Sequence, residues 1–209
     1  MTIYSITNSE IWKEALAPSI KGTELVLKLI DNSIQKESCT SIYNKVLDSC
    51  SNKEDIIILS HPDIILSKDF IEDIKRALLY IPKNWGLLGC YSGNHWENHF
   101  LSSDLKEGEV VKEALEFEII LVVNTRTKLR FDEKLFDKFA LYFEDFSYQN
   151  WYHNFPCYIF KTSIDHKFES LKGKGPAWGN YYYYRKKLIS KWDIFYWEMQ
   201  EKFRRLYEK

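Results

Sequence analysis

Apolar residues follow two different rhythms along the first half of the chain. Alternating apolar residues predict a strand at residues 2–7, and short apolar runs predict strands at residues 24–30, 55–59 and 86–93. Between these runs, apolar positions recur three to four residues apart and predict helices, at residues 10–17, 41–50 and 67–81. Strands that alternate with helices are typical of an open, mostly parallel sheet flanked by helices. We therefore predict an α/β fold.

The alternation changes after residue 94. A strand-like piece with an apolar run, a helical aromatic stretch and a late strand follow one another, at residues 109–125, 134–154 and 157–168. The remaining residues predict a helix rich in aromatic side chains. We predict one domain at residues 1–184, with halves at 1–93 and 94–184, and a basic, aromatic C-terminal helix at 185–209.

Composition places the chain among ordinary globular proteins. Hydrophobic residues make up 45% of its 209 residues, and no apolar run approaches the roughly 18 residues that span a membrane. The N-terminus has no signal-peptide pattern. The four cysteines lack CxxC spacing, which argues against a zinc ribbon and a disulfide framework. We therefore expect a cytoplasmic protein.

Charge is unevenly distributed, although the net charge is only −1. Residues 185–209 contain eight Lys or Arg against four Asp or Glu. Such a segment could meet an anionic membrane, nucleic acid or an acidic partner, or it could be a solvated amphipathic helix. The near-neutral total and the lack of an RNP-like motif argue against nucleic acid. The aromatic residues of this segment are also compatible with a homodimer.

Polar residues follow three of the predicted strands at the point where each strand ends. Asn8 follows the first strand, Asp31 and Asn32 follow the second, and the tetrapeptide "SHPD" at 60–63 follows the third. Ligands of open parallel sheets bind beyond the carboxyl ends of the strands. We therefore expect these side chains to gather at one edge of the sheet.

The tetrapeptide allows two interpretations. Pro62 has no N–H to leave unpaired where a strand ends, so the polar residues could form only a turn. In an extended segment, however, His61 and Asp63 lie on the same side of the backbone. One imidazole and one carboxylate are a workable start for a Mg²⁺ or Mn²⁺ site. The coincidence of three polar strand ends favours a ligand site.

Several segments carry a resemblance to a known family, namely "SIYNKVLD", "DIIILSHPDIIL", "DFIEDIKRAL" and "NWGLLGCYSG". In this order they resemble the nucleotide-binding half of family-2-type glycosyltransferases with the GT-A fold. The similarity is closest to a small branch with H-x-D in place of D-x-D. The segment "LRFDEKLFDKFALYFEDF" resembles the acceptor side of that family, and "SIDHKF" and "KW" match its C-terminal signals. The resemblance covers residues 2–192.

The resemblance implies an inverting transfer of a sugar from a nucleotide-diphosphate donor to a hydroxyl acceptor, in the synthesis of a cell-surface or secreted glycan. On the donor side it implies nucleotide-binding roles for Asn8, Asp31, Asn32, Asn44 and His61. The acceptor would be a glycan or a lipid-linked molecule. The basic C-terminal helix could bring the protein peripherally to the inner face of a membrane.

The resemblance also implies a divalent metal, Mn²⁺ or Mg²⁺, that bridges the donor diphosphate and is held by Asp63 and His166. Asp145 would be the general base that removes the acceptor's proton, and its neighbour Glu144 could serve instead. The alternative is a sugar-nucleotide-binding module that has lost catalysis, because H-x-D has one carboxylate fewer than D-x-D.

Overall fold

The computed structural model describes residues 1–50, 55–90, 105, 110–115, 117, 119–137, 141–166 and 178–207. Segments 94–108 and 169–180, which the sequence predicts to be loops that set donor and acceptor choice, fall mostly outside this description. In the described part, nine strands are present: β1 (Thr2–Thr7), β2 (Val26–Asp31), β3 (Ile56–Ser60), β4 (Ile64–Leu66), β5 (Leu87–Cys90), β6 (Val111–Glu113), β7 (Ile120–Asn124), β8 (Tyr158–Phe160) and β9 (Ile164–His166). The α-helices there are α1 (Leu16–Ile20), α2 (Cys39–Cys50), α3 (Phe70–Leu78), α4 (Tyr142–Tyr152) and α5 (Trp178–Tyr207).

Seven strands form the central sheet, in the order β2-β1-β3-β7-β5-β8-β6. Strand β1 pairs in parallel with β2 and β3, and β5 pairs in parallel with β8. Strands β7 and β6 pair antiparallel with their neighbours. Five strands therefore run in one direction, which confirms the predicted mostly parallel sheet. Strands β4 and β9 form a separate antiparallel pair.

The central sheet separates two apolar cores. In β3, Ile57 and Leu59 face a core that is completed by α2, α4 and α5, whereas Ile58 faces a core completed by α1 and α3. This alternation follows from the two-residue period of a strand. Because both faces are covered, β3 is apolar from Ile56 to Leu59, as its sequence predicts. The helices flank the sheet on both faces, which confirms the predicted α/β class.

Two predicted helices differ from the structure at their starts. The stretch at 10–17 is a 3₁₀ turn (Ile11–Lys13) followed by the short α1. Among the described residues of the stretch at 134–154, 134–137 are not helical and the helix begins at Tyr142. There, Asp132 accepts hydrogen bonds from the backbone N–H groups of Lys134 and Leu135 and so stabilises a turn instead.

The C-terminal helix packs against the body of the protein. The predicted boundary at residue 185 lies inside α5, and buried side chains occur on both sides of it, at Tyr184, Leu188, Tyr196, Met199 and Phe203. These residues belong to the same core as α2 and α4. Burial of side chains of this size contributes about 1.5–3 kcal/mol each. Helix α5 is therefore part of the core, and its residues reach the candidate site described below.

Candidate active site

The ends of β1, β2 and β3 lie side by side at one edge of the sheet. Thr7 is paired with Asp31 across β1 and β2, and Ser5 is paired with Ser60 across β1 and β3. The backbone N–H of Asn32 continues this pairing and donates to the carbonyl oxygen of Thr7 at 2.8 Å. The parallel register thus brings the three polar strand ends to the same edge.

A cavity of about 250 Å³ lies beside the end of β2. Asp31 and Asn32 line it together with residues of the following loop and of α2, among them Gln35, Glu37 and Lys45. Asn32 donates from Nδ2 to the carbonyl of Glu37 at 2.8 Å and accepts the N–H of Glu37 at 2.9 Å. This pair of hydrogen bonds fixes the loop that forms one wall of the cavity.

Asp31 presents a carboxylate at the mouth of this cavity. Hydrogen bonds from the Ser33 side chain and backbone lower the pKa of Asp31 below its usual value. A carboxylate that stays ionised can accept hydrogen bonds from hydroxyl or N–H groups of a ligand. Asn8 is exposed at the neighbouring strand end.

The segment after β3 connects the strand ends to α4. The backbone N–H of His61 donates to the carbonyl of Ile119 at 2.9 Å, so the strand pairing continues one residue beyond β3. The imidazole ring of His61 lies 6.3 Å from the ring of Phe143, centroid to centroid. Phe143 belongs to the first turn of α4, and this contact therefore places the start of α4 next to the strand ends.

The small sheet brings the two predicted metal ligands to adjacent positions along the backbone. Ile64 of β4 is paired with His166 of β9, and Asp63 directly precedes Ile64. The side chain of His166 lies outside the described part of the protein. Within that part, no group of three or more His, Cys, Asp or Glu side chains is placed to hold a metal. The nitrogen and oxygen donors of His61, Asp63 and His166 nevertheless suit Mn²⁺, which accepts both types of ligand.

Asn44 has a structural role that leaves little capacity for a ligand. It is 8% exposed, and its Nδ2 donates to the carbonyl of Phe131 at 2.9 Å and to Glu133 Oε1 at 2.7 Å. Its Oδ1 accepts the N–H of Phe131 at 2.8 Å. Both amide hydrogens are thus used to fasten the segment before α4 to α2. The nucleotide-binding role of Asn44 stays a prediction.

Asp145 lies in the first turn of α4 and is only 1% exposed. Its carboxylate accepts hydrogen bonds from Gln149 Nε2, Trp192 Nε1 and Lys191 Nζ, each at 2.9 Å. Lys191 Nζ lies 2.9 Å from either carboxylate oxygen. Four close contacts therefore fill the acceptor positions of this carboxylate. Its neighbour Glu144 is half-buried.

Lys191 links Asp145 to a second carboxylate. Its Nζ also lies 2.9 Å from Asp132 Oδ2, so one ammonium group bridges two acids. The lysine side chain is 19% exposed and that of Asp132 is 24% exposed. The ammonium also lies 5.7 Å above the Phe136 ring and 5.0 Å from the Trp192 ring. Aromatic faces stabilise a cation that is partly withdrawn from water.

The two acids that share Lys191 titrate differently. Burial raises the pKa of Asp145 above its usual value, although Lys191, Gln149 and Trp192 oppose this effect. Burial acts in the same direction on Asp132, but the Lys191 ammonium and two backbone N–H groups outweigh it and lower the pKa of Asp132. Asp145 is thus the carboxylate of this pair that takes up a proton more readily.

Sequence reasoning singled out Asp145 but gave no role to its partners. Lys191 and Trp192 form the "KW" segment and Asp132 lies in "RFDE", both of which carry the family resemblance. The two segments are about 60 residues apart along the chain, and their contact depends on how α5 packs. A motif of fixed spacing along the sequence could not have predicted this contact.

The sequence matches no protein-family model and none of the curated protein sequences. The fold, in contrast, is similar to solved structures of TarS from S. aureus. TarS 1–349 in complex with UDP-GlcNAc superposes with a TM-score of 0.60 at 12% identity, over 90% of this chain and 65% of that one. A longer TarS structure gives a TM-score of 0.55 at 12% identity, over 78% and 36%. TarS 1–349 in complex with UDP gives 0.54 at 10% identity, over 78% and 59%.

These likenesses confirm the predicted fold: the chain has the GT-A fold of glycosyltransferases. The chain spans less than two thirds of the length of the TarS structures that it matches. In the part of the chain that the structure covers, none of the helices has the length and apolar character needed to cross a bilayer.

Proposed function

We propose that this protein is a glycosyltransferase that moves a sugar from a nucleotide-diphosphate donor to a hydroxyl acceptor with inversion at the anomeric carbon. The observation that carries the proposal is the arrangement of polar strand ends and an acidic helix start at one edge of a GT-A fold. The UDP-GlcNAc that TarS 1–349 holds in its crystal structure supports a sugar nucleotide as the class of donor.

The donor would occupy the edge formed by β1, β2 and β3. Asp31 and Asn32 line a cavity there and would accept hydrogen bonds from the ribose and base, with Asn8 beside them. Asp63 and His166 would hold a divalent ion, and His61 would contribute to binding of the nucleotide. The ion, when bound, would neutralise negative charge that develops on the leaving diphosphate.

The acceptor would be activated at the start of α4. As the acceptor oxygen bonds to the anomeric carbon, its proton would pass to Asp145, and the bond from that carbon to the diphosphate would break. A general base works best when its pKa lies near the working pH, and burial moves the pKa of Asp145 in that direction. Glu144, one residue earlier and less buried, is the competing candidate.

One observation favours the alternative of a binding module without catalysis. The carboxylate of Asp145 is already in contact with Gln149, Trp192 and Lys191, so an acceptor hydroxyl would have to displace one of these donors.

The two functions are distinguished by incubating the protein with UDP-sugars, GDP-sugars and dTDP-sugars in the presence of Mn²⁺. An enzyme releases the nucleoside diphosphate slowly even without acceptor, whereas a binding module binds the donor and leaves it intact.

The acceptor class is a further part of the proposal. Tyr182 and Tyr183 are 62% and 55% exposed in the first part of α5, where Lys186 is also exposed, and Ile194 and Trp197 are 68% and 59% exposed after a kink at Asp193. Aromatic side chains next to cations are typical of helices that lie on anionic membranes. We therefore propose a lipid-linked or membrane-proximal glycan acceptor, reached by peripheral contact through α5. A homodimer through this face is the competing outcome.

A further inference from the structure

The contact between α5 and the acid pair of α4 suggests a role for Lys191 that rests on the proposed sugar transfer. A base must present a free lone pair to the acceptor hydroxyl, yet Asp145 is surrounded by donors. Gln149 and Trp192 each contact Asp145 through one polar hydrogen. Lys191 differs from both, because its ammonium lies equally close to Asp132, at 2.9 Å.

The second carboxylate gives Lys191 an ionic partner that it keeps if it leaves Asp145. A buried cation that loses its partner is strongly destabilised, whereas one that keeps a partner is not. If Lys191 leaves Asp145, Asp132 still pairs with it, and the faces of Phe136 and Trp192 still lie nearby. Asp132 itself is anchored by the N–H groups of Lys134 and Leu135 and so stays in place.

We propose that Lys191 is a positioning residue that acts as a transferable counter-ion: it holds Asp145 charged before the acceptor binds, gives way on Asp145 to the acceptor hydroxyl, and remains paired with Asp132 after the proton has been transferred. The proton moves from the acceptor hydroxyl to Asp145, and Lys191 keeps all of its own protons. The three charges sum to −1 before the transfer and to zero after it. No isolated charge is left in the buried site at either stage.

The opposite pKa directions of the two acids support this assignment. Pairs of titratable groups whose environments separate their pKa values commonly divide acid–base roles between them. The charged groups that contact or adjoin Asp145 include Lys191 from α5, Glu144 from its own helix turn and, through Lys191, Asp132 from the preceding turn. Changing Lys191 or Asp132 should therefore move the titration of Asp145 in opposite directions.

The test compares Lys191→Met, Lys191→Arg and Asp132→Asn with the wild type, in the acidic limb of the pH profile of kcat for nucleotide-sugar turnover. Removal of the cation should shift the limb to higher pH by about one unit or more, because an opposite charge at this distance changes a pKa by about 1–3 units. Asp132→Asn should shift the limb to lower pH, because Lys191 then pairs with Asp145 alone. Lys191→Arg should leave it near its wild-type position.

Lys187→Met is the matched control. Lys187 lies one turn earlier on α5 and donates to the carbonyl of Leu135 at 3.0 Å. Lys187→Met should leave the acidic limb of the pH profile of kcat unchanged. A purely structural role for Lys191 predicts lower stability and lower kcat without movement of the limb, and that result would overturn the proposal.

A carboxyl ¹³C titration of Asp145, assigned with Asp145→Asn, gives the same comparison without substrate. If the wild type neither binds nor turns over any nucleotide sugar, sugar transfer fails as a function, and the titration still decides whether Lys191 and Asp132 shift Asp145 in opposite directions. If turnover is present but both variants shift the limb in the same direction or not at all, the counter-ion role fails alone. Should Lys191→Met not fold, Asp132→Asn carries the test, because Asp132 is at the surface edge of the cluster.

Discussion

The strand ends of β1, β2 and β3 and the α4–α5 junction are built in contrasting ways. At the strand ends, Asn8 and Asp31 are exposed, and Asp31 lines a cavity. At the junction, Asp145 is withdrawn from solvent and held by three side chains from two helices. Strand ends presented to solvent suit the capture of a large, charged ligand, whereas a buried acid suits control of a single proton. Binding and chemistry are thus expected to respond to different substitutions.

The largest expected effect is the loss of turnover in Asp145→Asn. An amide cannot accept the acceptor's proton, and base catalysis typically contributes about 10²–10⁴-fold. Nucleoside-diphosphate release in the presence of acceptor should fall by that factor, while donor affinity measured by calorimetry stays within about twofold. Glu144→Gln is the matched control and should lose only a few-fold. If Glu144→Gln loses more turnover than Asp145→Asn, Glu144 is the base. The buried Asp145 is then not the group that controls the proton.

A smaller effect is expected on the donor side from Asp63→Asn. Loss of a carboxylate from the proposed metal site should weaken nucleotide-sugar binding in Mn²⁺ by more than about tenfold, which is within the range seen for changes at metal sites. Chelation of the metal should weaken nucleotide-sugar binding by the wild type to the level of the variant. It should have little further effect on binding by the variant. Equal affinities in Mn²⁺ and in chelator, for wild type and variant alike, would exclude a metal at this edge.

Asn44→Ala separates a structural role from a nucleotide-binding role. The substitution leaves the backbone groups of Phe131 without their partner, and an unsatisfied buried group costs about 1–3 kcal/mol. Urea unfolding should show this loss in the free energy of unfolding, while donor affinity should not change. A variant with normal stability and weakened donor binding would return Asn44 to the nucleotide site.

The smallest expected effect concerns the exposed face of α5. Replacing Ile194 and Trp197 by Ser should reduce co-sedimentation with vesicles of anionic lipid several-fold and leave stability unchanged, because both side chains are exposed. Replacing Val26 and Leu79, which are exposed elsewhere, should have no effect on vesicle binding. If the α5 variant instead changes the sedimentation of the protein alone, this face is a dimer interface.

The sequence was most informative where a local pattern decides the structure. The apolar run of β3 and the spacing of Ile42, Val46 and Cys50 in α2 predicted both elements, because each is determined by burial on a regular period. The polar strand ends were predicted to be neighbours, and the register of β1 with β2 and β3 bears this out. A parallel sheet allows few other arrangements.

The contacts of α4 and α5 could not be predicted in the same way. The turn at Asp132 delays the start of α4, and the bridge from Lys191 to Asp145 joins residues 46 positions apart. Such contacts depend on how helices pack against the sheet and not on a local period. The contacts of Asn44 were not predicted for the same reason, because its partners lie 87 and 89 residues further along the chain.

The most direct measurement of the central claim is the thermal stabilisation of the protein by nucleotide sugars in Mn²⁺. A donor at 100 times its dissociation constant should add about 2.7 kcal/mol to the free energy of unfolding. We predict this stabilisation for at least one UDP-, GDP- or dTDP-sugar with the wild type, and its loss when Asp31 and Asp63 are both replaced by Asn. If no nucleotide sugar stabilises the wild type, or if the double variant is stabilised equally, the strand ends are not a donor site.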